Sequence, residues 1–264
     1  MLECVVNISE GRDQSLVARL SQACGHPLDV HTDADHNRSV FTLIGTEAPR
    51  GLSVTAIELL DIHAHRGEHP RLGVIDVVPF VALEGSTHRD ALAARNEYAE
   101  WIVDELSVPV FFYGAERTLP DIRKHAWKSL APDLGPHAPH ATAGAVCVGV
   151  RPPLIAYNVF LDSTDMSVAK RIANEVRRPG LRTLAFFVAG RAQISMNIVD
   201  TEKISVFDAF DAVRTASLGH GISTQRCELI GLVTDRHLRM NDESRWAELD
   251  LSTDKTVEFR SQMT

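Results

Sequence analysis

The sequence lacks the signatures of most nucleotide and redox chemistry. It contains no G-x-x-x-x-G-K-[ST] and no G-x-G-x-x-G, so neither a phosphate loop nor a dinucleotide fingerprint is present. No G-x-S-x-G elbow occurs, which removes the commonest serine-hydrolase signature. Cys4, Cys24, Cys147 and Cys227 form no C-x-x-C pair and read as buried thiols in a reducing cytosol. No apolar run approaches the ~20 residues of a membrane span. Basic charge is not in excess: Lys and Arg number 27 against 35 Asp and Glu, for a net charge of -8. That balance argues against a broad nucleic-acid footprint. No basic segment followed by an apolar one stands at the N-terminus, so no secretory signal and a cytoplasmic location are expected. The remainder is ordinary for a globular chain. Over 264 residues, 44% are apolar and 23% charged, enough for one large domain or two small ones with a sizeable core.

Against that background one stretch is dense in chemistry. HRGEHPRLGVIDVVPF, residues 65–80, brackets Glu68, His69 and Arg71 with Gly67, Pro70 and Gly73. Gly and Pro end a helix and fix a bent loop. The Val-rich run that follows is too short for a buried helix and reads as an interior strand. An acid, an imidazole and a guanidinium thus sit on a loop against the start of a core strand, where chemistry is commonly placed. A second polar cluster, DADHNR, holds Asp33, Asp35, His36, Asn37 and Arg38. Its simplest reading is a turn, since Asp and Asn bond their own backbone. Seven of the twelve histidines fall between His26 and His88. His31, Asp33, Asp35 and His36 with His63, His65 and His69 could in principle bind Zn, Mn or Fe. No spacing matches a helical pair such as H-E-x-x-H, so no metal is expected.

Periodicity places the elements. Strands are expected over 2–8, 28–32, 39–44, 74–83 and 109–113, and helices over 13–24, 48–64, 87–106 and 119–130. The stretch PDLGPHAPHATAG is rich in Pro, Gly and His and reads as a long functional loop or domain connection. A boundary is expected near Val150. Beyond it come a strand (154–161), a helix (to 178), two strands (182–188, 192–199), a helix (205–218) and a last strand (227–233). Both halves give strand, helix, strand, strand, helix, strand. The expected class is α/β (α+β): two similar subdomains, each a mixed sheet with helices on one face. Residues 241–264 are polar and weakly patterned, a terminal strand or a loose tail.

ECVVNISEG, DADHNRSVFTLIG and HRGEHPRLGVIDVVPF, in that order, resemble the N-terminal motifs of the glutamate formimidoyltransferase family, the transferase half of formiminotransferase-cyclodeaminase. LIAYNVFLDST, QISMNIVD and ELIGLV resemble its second subdomain. The resemblance implies subdomains at 1–149 and 150–240, a homodimer, and small-molecule substrates with neither nucleic acid nor membrane as partner. Only the transferase half is implied. The reaction implied moves a formimidoyl group from N-formimidoyl-L-glutamate to N5 of tetrahydrofolate, in histidine degradation and one-carbon metabolism. His69 matches the family's proton-transfer histidine and Asp33 its aspartate. Glu68 joins them as the catalytic set. The family's folate loop corresponds to the stretch holding Gly135, Pro136, His137, His140 and Gly144. Here that loop is shorter and carries two histidines in place of a Trp.

Chemistry completes the candidate set. One group titrating near neutrality can pass a proton from N5 to the leaving nitrogen, and His suits that task. An acidic protein binding anionic substrates needs local cations. Arg12, Arg38, Arg66 and Arg71 lie in or beside the motif loops, and Arg38 and Arg71 abut the polar clusters at strand starts. Glu10, in the SEG turn, and Asn37 join them as substrate-binding candidates. Asn158 and Asn197 interrupt apolar strand runs, where an amide is costly unless paired; they are expected to bind substrate. Two other readings stay open: a metal-dependent amidine or amide hydrolase using the His/Asp cluster, and a folate-binding protein without catalysis.

Overall fold

The computed structural model describes residues 1–67 and 70–263. The chain is α/β and divides into two compact units, Met1–Pro152 and Pro153–Thr264. The first unit runs β1 (Leu2–Ile8), α1 (Gln14–Ala23), β2 (Asp29–Asp33), β3 (Arg38–Ile44), α2 (Ala48–Leu59), β4 (Ile75–Ala82), α3 (His88–Leu106), β5 (Val110–Tyr113), α4 (Leu119–His125) and β6 (Val146–Val150). Its six strands lie in the order β2-β3-β1-β4-β6-β5. The first four pair antiparallel, while β6 is parallel to both β4 and β5.

Local chemistry starts the helices where the pattern predicts. The Asp13 carboxylate accepts from the amides of Ser15 and Leu16 and opens α1. Thr87 and Asp90 form a reciprocal capping box at α3. Strand alternation then turns Cys4, Val6 and Ile8, with Phe41, Leu43, Val78 and Phe80, toward Leu20, Leu52, Ala56, Tyr98 and Ile102 of the helices. Tyr98 is fully buried, and its hydroxyl meets Ser53 Oγ at 2.6 Å. Truncating a side chain such as Leu20 here costs about 2–5 kcal/mol.

Three expectations for this unit need correction. Helix α4 ends at His125, not at residue 130, because Ala126 is no longer helical (φ -52°, ψ 135°). Helix α2 stops at Leu59, not at residue 64, because Leu60 is already extended (φ -115°, ψ 146°). The Asp61 carboxylate then holds the His63 amide at 2.8 Å, and the anchor loop begins there. Residues 146–150, where no element was expected, form strand β6 between β4 and β5. A five-residue apolar run beside a Pro- and Gly-rich stretch carried too little periodicity to announce it. The face of β4, β6 and β5 turned from the main core is covered by α4, with Val77, Phe111, Cys147, Ile122 and Trp127 in contact.

The second unit runs β7 (Ile155–Leu161), α5 (Met166–Val176), β8 (Leu181–Val188), β9 (Arg191–Ile198), α6 (Val206–Gly219) and β10 (Thr224–Ile230). The sheet order is β10-β7-β9-β8, antiparallel throughout rather than mixed. This is the split β-α-β arrangement, and β4-β1-β3-β2 of the first unit repeats it. β10 begins three residues earlier than expected. Residues 241–263 form neither a terminal strand nor a loose tail. They fold as short helical turns, and Leu249, Leu251 and Val257 are buried, the first two within the second core. The Tyr157 hydroxyl donates to the Leu249 carbonyl at 2.8 Å and fastens this segment to β7. Among the described residues no helix is long and apolar enough to cross a membrane.

Candidate active site

The motif loops converge on one edge of the first sheet. Ile8 at the end of β1 pairs with Ser39 of β3 and Ile75 of β4, and Asp33 at the end of β2 pairs with Arg38. The chain segments after β1, between β2 and β3, and before β4 therefore share one edge. They pack backbone to backbone. A Cβ on Gly11 would lie 2.5 Å from the Asp33 carbonyl, and one on Gly67 would lie 2.3 Å from the His36 carbonyl. No side chain fits at either point, which gives both motif glycines a steric reason.

Asn37 ties these loops together. It sits in the left-handed region (φ 48°), which Asn tolerates. Its Oδ1 accepts from the Gly11 amide at 2.9 Å, and its Nδ2 donates to the Arg66 carbonyl at 3.0 Å. The same Nδ2 meets His65 Nδ1 at 3.3 Å. Both ends of the Asn37 amide are thus engaged by protein, and its role here is architectural. That contact suits a neutral imidazole accepting at Nδ1. Burial, and then the charge of Arg71, push His65 down to about 4, against the pull of Glu10. Its ring is neutral at neutral pH.

The acidic candidates partly serve their own turns. Asp33 Oδ1 accepts from the His36 amide at 2.7 Å. Glu10 Oε1 accepts from the amides of Arg12 and Asp13 at 2.7 and 2.9 Å. The turn chemistry read from the sequence is present, and one oxygen of each carboxylate lies outside it. Arg12 Nε donates to the Ala34 carbonyl and Arg66 Nη1 to the carbonyls of His63 and His65, each at 2.7 Å, so both side chains brace loops.

The electrostatic centre is a residue that the sequence reading passed over. At the start of β4 the register with β1 slips, and Asp76 is the extra residue between Ile75 and Val77. Its carboxylate is 2% exposed. It accepts from the Leu72 amide at 2.8 Å and from Arg123 Nη2, on α4, at 2.6 Å. Arg38 and Arg71 share this neighbourhood. Burial lowers both guanidinium pKa values; Asp76 opposes the shift and Arg123 reinforces it. Arg71 Nη2 also donates to the His36 carbonyl at 3.4 Å. Arg123 Nε is buried without a hydrogen-bond partner among the described residues. Three guanidiniums therefore share the field of one buried carboxylate, with Asp33 also acting on Arg38, and among the described residues these cations outnumber the anions. Such an enclosure favours an anionic ligand. An acid inside the apolar run IDVVPF was the available signal for Asp76, as for Asn158. Arg123 had no local signal, because only the fold brings α4 to this edge.

Glu68 and His69 lie outside the described residues. The candidate folate loop is seen in parts. Gly135 (φ 87°) turns against Val103 and Pro109 at the end of α3. Pro136 and His137 are exposed. His137 lines a shallow pocket with Trp127, Lys128 and Leu130, so an aromatic ring missing from the loop's own sequence stands beside it. His140 Nδ1 accepts from the amides of Thr142 and Ala143 at 3.3 and 3.0 Å. The backbones of His140 and Gly144 exchange a bonded pair at 2.8 and 3.1 Å, and Gly144 bridges to Gly73. His140 and Gly144 thus close the loop against the strand start that carries Asp76. In the second unit Asn158 (buried) and Asn197 (exposed) share the sheet face turned from α5 and α6, as diagonal neighbours on β7 and β9. Among the described residues no group of three His, Cys, Asp or Glu side chains converges as a metal site.

Comparison with known proteins identifies the family. Residues 1–151 match the formiminotransferase domain, N-terminal subdomain. The glutamate formimidoyltransferase of Streptococcus pyogenes serotype M1 is 35% identical over 90% of each chain. That of Thermoplasma acidophilum is 33% identical over 90% of this chain and 89% of its own. Rat formimidoyltransferase-cyclodeaminase is 30% identical over 88% of this chain, which spans 50% of that longer protein. With the motif loops, their shared sheet edge and matches that extend along nearly the whole chain, this protein belongs to the formiminotransferase family.

Proposed function

We propose that the chain is a glutamate formimidoyltransferase, moving HN=CH– from N-formimidoyl-L-glutamate to N5 of tetrahydrofolate. The observation that carries the reading is the gathering of Arg38, Arg71 and Arg123 about the buried Asp76 at the edge that holds the motif loops. The donor brings two carboxylates, and Arg38 and Arg71 are the binding groups assigned to them. Arg123 is held by Asp76 and raises the local positive potential. Glu10 and Asp33 offer a carboxylate oxygen each to the amidinium end of the donor. Asn37 keeps the loops in register.

In this mechanism N5 attacks the amidinium carbon and forms the new C–N bond. The tetrahedral carbon then collapses, the bond to the glutamate nitrogen breaks, and glutamate leaves as an amine. N5 loses one proton and the departing nitrogen gains one. His69 is the group proposed to carry it, with Glu68 and Asp33 orienting it. His65, neutral and hydrogen-bonded, is unsuited to picking up that proton near neutral pH. Desolvation around the guanidiniums strengthens each charge contact as the site closes on substrate. Tetrahydrofolate as the acceptor, contacts from Gly135, Pro136, His137, His140 and Gly144, and binding by Asn158 and Asn197 belong to the same proposal. So do the homodimer, the cytoplasmic location and a place in histidine degradation. Turnover with tetrahydrofolate and a panel of formimidoyl donors tests it. Formimidoyl transfer from the glutamate donor is expected; absence of transfer to tetrahydrofolate from every donor refutes it.

A further inference from the structure

One histidine of the motif loops takes no part in moving the proton, yet stands four residues before the one proposed to do so. His65 is half-buried, and its Nδ1 meets Asn37 Nδ2 at 3.3 Å. The same Nδ2 donates to the Arg66 carbonyl, and Arg66 Nη1 donates to the carbonyls of His63 and His65. Gly67 follows, packed so closely on the His36 carbonyl that no Cβ fits. The chain is therefore pinned at 65–67 to the segment between β2 and β3. It is pinned again past Pro70. There the Leu72 amide donates to Asp76 Oδ1 at 2.8 Å, and the Gly73 carbonyl accepts from Ser9 Oγ at 2.8 Å. Anchors thus flank residues 68–69 on both sides in the chain. The downstream anchor uses backbone groups and a carboxylate sunk in the sheet. The upstream one includes a contact between two side chains, in which the imidazole is the acceptor. A neutral ring suits that place. Protonated, it would turn an N–H toward Asn37 Nδ2, which also donates. It would also add a cation beside Arg71 and Arg12, with Glu10 pulling the other way.

We propose that His65 is a positioning residue for formimidoyl transfer. By accepting from Asn37 it fixes the upstream end of the loop and so sets the place of His69. This rests on the function proposed above and on the proton role given there to His69. A general acid–base group works only within hydrogen-bond reach of the atom it serves, and a displacement of about 1 Å can cost on the order of 10²-fold in rate. Arg38, at the start of β3, and Arg71, next to the downstream anchor, lie outside the contact. Loss of the contact therefore affects the chemical step more than the binding of the donor.

The test uses the full chain with His65→Leu, which has no acceptor, and His65→Asn, whose Oδ1 can stand where Nδ1 does. Thermal melting, kcat, and KM for N-formimidoyl-L-glutamate and tetrahydrofolate are measured near neutral pH. His65→Leu is expected to lower kcat about tenfold to a hundredfold, with both KM values within about threefold of wild type. His65→Asn should recover most of that loss. In a His69→Ala background, His65→Leu should lower kcat no further, because it acts only through His69. A folded Leu variant with kcat within about twofold of wild type overturns the assignment, as does a full additional loss in the His69→Ala background. If His65→Leu does not fold, His65→Gln replaces it. Its amide lies one methylene farther out than Nδ1, so equal kcat in the Gln and Asn variants overturns the assignment and a slower Gln variant supports it. Wild-type protein that transfers no formimidoyl group, or a His69→Ala variant with wild-type kcat, overturns the functional reading itself and takes this assignment with it.

Discussion

The two units share one strand order but differ in what they build on it. In the second unit the antiparallel sheet β10-β7-β9-β8 ends there, and the face away from the helices carries amides: Asn158, Gln193 and Asn197. In the first unit the same order is extended by β6 and β5, which brings α4 and Arg123 to the strand edge that holds the motif loops. The charged motif residues thus gather at one sheet edge of the first unit, whereas in the second unit amides share a face with charged side chains such as Arg226 and Glu228. The comparison teaches that a shared scaffold does not decide chemistry. An added parallel pair and one bulge at Asp76 convert an ordinary sheet edge into a cation-rich site. In the function proposed above, the charged edge receives the anionic, amidine-bearing donor and the second unit's amides serve the acceptor.

The sharpest way to break that division is at the proton. His69→Ala should leave folding and both binding constants near wild type while kcat falls about 10²–10⁴-fold, the usual contribution of a general acid–base group. Retention of more than about a tenth of wild-type kcat would remove His69 from the role.

Next is Asp76. Asp76→Ala leaves Arg123 buried without its partner, and loss of one member of a buried pair costs roughly 3–5 kcal/mol. The control is Asp162→Ala in the second unit, which breaks an exposed pair with Arg191 and should cost no more than about 1 kcal/mol. Denaturant midpoints of the two variants measure the difference. Equal, small losses would show that Asp76 does not organise the cluster.

A smaller effect separates the substrates. Arg38→Gln or Arg71→Gln should raise donor KM more than it lowers kcat, the pattern of lost uniform binding. Asn197→Ala, on the exposed end of the second sheet, should change tetrahydrofolate affinity and leave donor KM alone. If the Arg variants move only the acceptor constants, the division between the units is reversed.

The smallest effect is on acid stability. The folded pKa of His65, about 4, lies below the ordinary value of 6.5. The unfolded chain therefore takes up the proton first. Stability linked to His65 is complete above about pH 6.5 and declines as pH falls toward 4. His237, in the second unit, is also lowered by burial and acts with the same sign. Chemical denaturation of His65→Asn and His237→Asn at several pH values between 7.5 and 4 resolves the two. Each variant should lose less stability on acidification than wild type.

Much of the fold was legible because period and capping act locally. The alternation of Val40, Phe41, Thr42 and Leu43 is a strand in any context, and Thr87 with Asp90 caps α3 through contacts three residues apart. The loops holding Asp33, Asn37, Arg38 and Arg71 were found by density of unlike polar groups. The role of Asn37 was not, because its partners Gly11 and Arg66 are far away in the chain. β6 was missed for a related reason: a parallel strand between two others shows no alternation of its own. The C-terminal segment read as a terminal strand or a loose tail because Leu249, Leu251 and Val257 are too widely spaced to form a stripe before they meet the fold.

By itself the sequence determined the class, the repeated succession of strands and helices in the two halves, the motif loops and the need for local cations in an acidic chain. These follow from periodicity, turn chemistry and charge, which involve neighbours within a few residues. Only tertiary structure decided that Asp76 would be the buried centre, that Arg123 would reach it from α4, and that His65 would be kept neutral. Each depends on which groups are excluded from water together. Desolvation and long-range Coulomb interaction are properties of the packed site, not of any segment that enters it.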